Sequence, residues 1–240
     1  MRRYRLMLIV SVFAITCLSG WADDKYTCQA SIFMWDAYAK RPEIVSPDGS
    51  KHVRLWSSAK DPEPESAKFY ASIYSGARLL KTVELKDLSA ATFVKWAPDS
   101  KAFYVMWSDG GAIGGYHVRV FIVSDDQATE SPAPKSVAAD FAQHHYCKTR
   151  GNNLYAVRWE QGAKQLLLQP SVYPTSDCGK EMGFASGYLV DTETGEIEER
   201  YTAKQMKQLT KGCPSTVFPT AFATQQAVDS AVKDGKVQKH

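Results

Sequence analysis

The residues able to do chemistry in this 240-residue chain fall into a few clusters. His144-His145-x-Cys147 combines imidazole and thiolate, which suit zinc. Adjacent helical side chains point about 100° apart, so neighbouring histidines rarely grip one ion. No second spaced ligand pair accompanies them, and neither a metal nor a cofactor is expected. Ser186 sits in residues 183–187 (GFASG), one place too late between its glycines for the Gly-x-Ser-x-Gly nucleophile elbow. His144 or His145 beside Asp140 or Asp177 has the residue types of an acid–base pair, which makes a hydrolase the rival reading. Residues 108–115 (SDGGAIGG) are glycine-rich but lack the Gly-Lys-Ser/Thr ending of a phosphate loop, and Tyr116 opens a strand where a helix would be required. With every catalytic set incomplete, the residues point to binding rather than turnover.

The elements that position these residues begin after a targeting segment. Arg2, Arg3 and Arg5 precede an apolar run from Leu6 to Leu18, and Gly20 and Ala22 are small, which is the pattern of a secretory signal peptide cut after Ala22. The run is too short for the roughly 20 residues that span a bilayer, and no later stretch is long and apolar enough. Cleavage leaves 26 basic against 26 acidic residues, so no basic field remains to attract nucleic acid. It also removes Cys17, leaving Cys28, Cys147, Cys178 and Cys213. An even number of cysteines in an exported chain predicts two disulfides in the periplasm or outside the cell.

Three segments can be laid over one another: residues 43–56 (EIVSPDGSKHVRLW), 93–107 (FVKWAPDSKAFYVMW) and 156–168 (AVRWEQGAKQLLL). Each reads as strand, tight turn, strand. Pro sets φ at the first central turn position, and Asp and Gly supply a side-chain hydrogen bond and a permissive backbone. A lysine follows each turn: Lys51, Lys101 and Lys164. Further β-rich stretches follow each hairpin, giving a unit of four strands. The interval from Pro47 to Pro98 is 51 residues and from Pro98 to Gln161 is 63, near the period of propeller blades with loop insertions. The Ser46–Lys51 and Ala97–Lys101 turns with their flanks resemble those of TolB-type and WD-like β-propeller repeats. That resemblance covers residues 43–201 and implies an all-β, β-propeller-like array of antiparallel four-stranded sheets, three to four in number and closed or open. Residues 23–212 form this domain, with 23–42 adding a partial blade or a cap, and 213–240 form a C-terminal segment. Short helices are expected after Ser136 and after Thr202.

In a four-stranded unit the Pro-Asp turns lie at one end, and the longer second-to-third and unit-to-unit connections lie at the other. Long loops on a rigid scaffold are where binding residues concentrate. Candidates on that long-loop face are Trp107, Asp109, His144, His145, Asn152, Asn153, Tyr173, Asp177, Lys180 and Glu181. In this frame Cys147 and Cys178 flank the same blade, and Cys28 and Cys213 flank the repeats. Cys147–Cys178 with Cys28–Cys213 is thus the geometrically simplest of the three pairings, and the other two stay open. The expected function is an exported binding module that engages a protein partner in the cell envelope, with a structural or inhibitory envelope protein as a further alternative.

Overall fold

The computed structural model describes residues 30–63, 65–88, 91–110, 115–144, 152–173 and 178–211. The expected signal segment, Cys28, Cys147, Cys213, His145, Asp177 and the expected C-terminal segment (213–240) lie outside these residues. The described residues form three antiparallel sheets and two α-helices. The first sheet is β2 (Glu43–Val45), β3 (Lys51–Ser57), β4 (Phe69–Ser75) and β5 (Arg78–Glu84) in chain order. The second is β6 (Ala91–Trp96), β7 (Ala102–Ser108), β8 (Tyr116–Val123) and β9 (Ala128–Glu130), and the third is β10 (Asn152–Glu160), β11 (Gln165–Val172), β12 (Gly187–Asp191) and β13 (Ile197–Tyr201). Each sheet is the meander that the repeat predicts. The N-terminal strand β1 (Ser31–Met34) forms no blade of its own; it pairs antiparallel with β6 and makes the second sheet five-stranded.

The second sheet is the middle layer, and strand alternation splits its side chains between two cores. All seven residues of β7 are buried. Phe103, Val105 and Trp107, with Val94, Trp96, Phe121 and Val123, pack against Val53, Leu55, Ala71 and Ile73 of the first sheet. Ala102, Tyr104 and Met106, with Phe93, Val118 and Val120, pack against Trp159, Leu166, Leu168 and Val190 of the third. Tyr38, in a 3-10 turn after β1, enters the first of these cores and hydrogen-bonds Thr92 Oγ1 at 2.6 Å.

Helix α1 (Ala133–His144) links the second sheet to the third and packs on β8 and on β10–β12, with Val137 and Phe141 buried. It starts three residues before the expected Ser136, because Ser131 Oγ accepts the Ala133 N–H and Pro134 fits the first turn. Helix α2 (Ala203–Leu209) follows Thr202 as expected, and Thr202 and Gln205 form a reciprocal capping box. Met206 fixes α2 against the third sheet where Gly187 leaves no side chain in the way.

The hairpin ends are joined from sheet to sheet. Asp48 N–H donates to Ser100 Oγ at 3.0 Å, and Ala163 N–H donates to Asp99 Oδ2 at 3.0 Å, so the three turns lie side by side at one end. Their closing pairs correct the sequence register by one place. Ser46 N–H bonds to Lys51 O as Ala97 N–H bonds to Ala102 O, and Glu160 pairs with Gln165. Lys51 is therefore equivalent to Ala102 and Gln165, whereas Lys101 and Lys164 match Ser50. The shift turns Lys51 inward: it is buried, and its Nζ lies 3.1 Å from Ser50 Oγ and 3.4 Å from Asp125 Oδ1 in the β8–β9 turn.

Candidate functional site

The long connections all leave from the end opposite the turns, and the residues expected there divide into three groups. Trp107, Asn153 and Tyr173 are buried at the long-loop ends of their strands. Trp107 closes the base of the second sheet: its Nε1 donates to Lys86 O at 2.8 Å, and its ring stacks on His117 at 5.4 Å. Asn153 Oδ1 accepts the Tyr116 N–H at 2.9 Å, tying β10 to the start of β8. Asn152 is half-buried. Trp107 and Asn153 sit at strand ends next to the loops but point between sheets, so they position the face rather than present it.

Asp109 is exposed and acts as a clamp. Its Oδ1 accepts the Gly115 N–H at 2.5 Å, and its Oδ2 lies 3.2 Å from His117 Nε2. The chain closes so tightly here that a Cβ on Gly115 would stand 2.7 Å from Asp109 Oδ2. His117 belongs to this group but has no sequence motif, because the register of β7 against β8 alone brings it opposite Trp107.

The third group is concave. A groove of about 600 Å³ at the long-loop end of the third sheet is lined by Asp140 and His144 of α1, Phe184 and Ser186 before β12, Tyr188, and Arg200 to Lys204 from β13 into α2. Lys180 and Glu181 are exposed on the 3-10 turn just before it, and Met182 (46% exposed) and Phe184 (39% exposed) present apolar surface beside them. Of the expected residues, His144, Lys180 and Glu181 thus fall at or beside this groove. Arg200, Tyr188 and Phe184 were not foreseen, since their neighbourhood depends on how α1 docks on the sheet.

The electrostatics of the groove centre on Asp140. Arg200 binds it in a fork, Nη2 to Oδ1 at 2.7 Å and Nε to Oδ2 at 3.1 Å, and the side chain of Tyr188 also hydrogen-bonds it. The Arg200 hydrogen bonds hold the Asp140 carboxyl below the ordinary carboxylate range. Burial, reinforced by the Asp140 charge, pushes the Tyr188 phenol up to about 12. Burial and the Glu199 carboxylate, which accepts the Tyr201 hydroxyl at 2.6 Å, likewise push Tyr201 up to about 12. Both phenols are neutral at pH 7 and serve as polar-edged aromatic walls.

Ser186, His144 and Asp140 line one groove, yet they are not wired as a charge-relay set. The Asp140 carboxylate is held by Arg200 and Tyr188, and His144 Nδ1 donates instead to the Asp140 backbone carbonyl at 2.9 Å. Nucleophile, base and orienting acid must be hydrogen-bonded in series for that chemistry. Among the described residues no three His, Cys, Asp or Glu side chains gather as metal ligands, and no helix is long and apolar enough to cross a membrane. Of the five cysteines, Cys178 alone lies among the described residues. The chain matches no protein-family model and no curated protein.

Proposed function

We propose that this chain is an exported binding module, of kinship with TolB-type propeller repeats, that holds a protein partner in the cell envelope through its long-loop end. The observation that carries this reading is the contrast between the two ends of the array. At the turn end, polar groups are spent on joining one sheet to the next, through Asp48 with Ser100 and Asp99 with Ala163. At the other end, a groove with aromatic walls lies beside exposed Met182 and Phe184 and the charged pair Lys180 and Glu181. Exposed apolar side chains rimmed by polar ones around a concavity are the usual make-up of a partner site. Export follows from the signal segment, with cleavage after Ala22. The disulfides Cys147–Cys178 and Cys28–Cys213 would then brace the connection after α1 and join the two terminal segments.

A photo-crosslinking amino acid placed at Asp109, Lys180 or Phe184 tests the reading in cells that make the protein, with Ser50 and Lys101 at the turn end as controls. Adducts from the long-loop positions alone support it. Absence of adducts throughout, or adducts only from the turn end, overturns it. Turnover in a broad substrate screen that disappears in His144→Ala, with the fold intact, would instead establish the hydrolase alternative. N-terminal sequencing of the exported form should begin at Asp23.

A further inference from the structure

The groove continues onto α2, and that helix is chemically lopsided. Residues 200–211 hold Arg200, Lys204, Lys207 and Lys211 and no acidic residue. Lys204 and Lys207 are spaced three apart on α2, which places them along one side, Lys211 follows two residues after the helix ends, and all three are exposed. Without its signal segment the chain is balanced in charge, so this excess is local. Inside the groove the one lining carboxylate is Asp140, already held by Arg200 and Tyr188, and nearby Glu199 accepts the Tyr201 hydroxyl. The walls beside this positive strip are aromatic: Phe184, Tyr188 and Tyr201.

We infer that the groove and the lysine side of α2 together bind an acidic peptide segment carrying an apolar or aromatic side chain. This inference rests on the binding-module reading above. Carboxylates of the segment pair with Lys204, Lys207 and the half-exposed guanidinium of Arg200, while its apolar side chain lies against Phe184 and the tyrosine walls. Charge-assisted pairing at the rim steers and selects such a partner, and burial of the apolar side chain retains it. An anionic lipid surface is the weaker match. A flat membrane would meet the lysines but leave the recess between α1 and α2 unfilled.

The probe is a library of displayed random peptides of about 12 residues, selected on the full mature chain, a length that spans a groove of this size in extended form. The expected outcome is enrichment of peptides with several Asp or Glu around at least one Phe, Tyr, Trp or Leu. The best of these should bind about tenfold more weakly to Lys204→Glu/Lys207→Glu, and progressively more weakly as salt rises. Phe184→Ala should weaken binding without changing the salt dependence. Unchanged thermal unfolding establishes that each variant is folded. Selection without acidic enrichment, or binding indifferent to the double charge reversal, overturns the inference. So does binding to vesicles of phosphatidylglycerol and phosphatidylethanolamine that the same reversal abolishes while no peptide is enriched. Long-loop crosslinks in cells alongside a failed peptide selection would remove this inference alone; absent crosslinks would remove the binding-module reading beneath it.

Discussion

Trp96 reaches from the second sheet to the first, its Nε1 donating to Ile44 O at 3.0 Å, and Trp159 repeats the contact from the third sheet to Lys95 O of the second at 3.4 Å. Ile44 and Lys95 are equivalent positions one residue before Val45 and Trp96. Successive sheets are therefore fastened by the same device, a tryptophan at the end of the opening strand reaching back to the unit before. In the first unit that position is Val45, which has no preceding sheet among the described residues and is 56% exposed.

Replacing Trp96 with Phe keeps most of the ring but removes the second donor to the Ile44 carbonyl, which stays paired with Val53 in the β2–β3 ladder. Urea unfolding should show a loss of about 0.5–1.5 kcal/mol. Trp159→Phe should cost less, because its hydrogen bond is longer. Equal losses for the two would mean that ring volume, rather than the sheet-to-sheet hydrogen bond, governs the contact.

Ser100 adopts φ 61° at the place where the first turn has Gly49 at φ 76°, and its hydroxyl is the acceptor for Asp48 N–H. The left-handed backbone costs a residue with a Cβ roughly 1–2 kcal/mol, so a hydrogen-bonding side chain is kept there against the local preference. Ser100→Ala loses the bond and keeps the strain, and should destabilise by about 1 kcal/mol. Ser100→Gly loses the bond and relieves the strain, and its urea midpoint should lie between those of Ser100→Ala and wild type, or above both.

The Tyr104 hydroxyl is buried between the second and third sheets with no hydrogen-bond partner among the described residues. Burial pushes its ionisation far above the ordinary range. Tyr104→Phe should be neutral or stabilising by up to about 1 kcal/mol in thermal unfolding, since it removes a desolvated polar group and keeps the ring against Trp159. A loss of stability would contradict this.

Glu130 is held below its ordinary range by hydrogen bonds from Arg119, Asp140 by those from Arg200, and Asp191 by the Thr194 and Glu193 N–H groups. A carboxylate whose folded value is depressed contributes stability above its unfolded value, and that contribution disappears as pH falls through the folded one. The urea midpoint should thus be steady from pH 7 to 5 and fall below about pH 4. Asp140→Asn should be less stable than wild type at pH 7 and approach it on acidification. Parallel curves for the two proteins would exclude this role for Asp140.

A Cβ at Gly187 would overlap Met206 Sδ, and it would lie 3.1 Å from Tyr201 Cβ. Gly187→Ala must displace α2 or repack Met206, at a cost of about 1–3 kcal/mol. Because α2 forms one wall of the groove, the variant should also lose partner adducts from Phe184 while keeping any from Asp109. Retention of both would mean that the groove tolerates movement of the helix.

The hairpins were readable from the sequence because their requirements are local: Pro47, Asp48 and Gly49 each satisfy a demand of the same turn, and the runs that flank the turns are rich in β-branched and aromatic residues. The start of α2 after Thr202 was readable for the same reason. What could not be read was side-chain direction at strand ends. Trp107, Asn153 and Tyr173 border loops, and whether such a residue faces water or a neighbouring sheet depends on inter-sheet packing that no local pattern encodes. The one-place offset of Lys51 has a related origin, since matching residue types can be aligned in two registers while hydrogen-bonded closing pairs admit one. His117 and Arg200 were missed because their partners, Asp109 and Asp140, reach them across a hairpin and from a helix that docks on the sheet.

The pairing of β1 with β6 bears on how this molecule avoids its own kind. Strand β6 is rich in β-branched and aromatic residues, and its backbone groups on that side would otherwise stand open as a template for a foreign strand. By laying residues 31–34 along it, the chain covers this margin with a strand of its own. Removing residues 31–34 is thus expected to leave β6 prone to fibrous self-addition, before any loss of the packed interior.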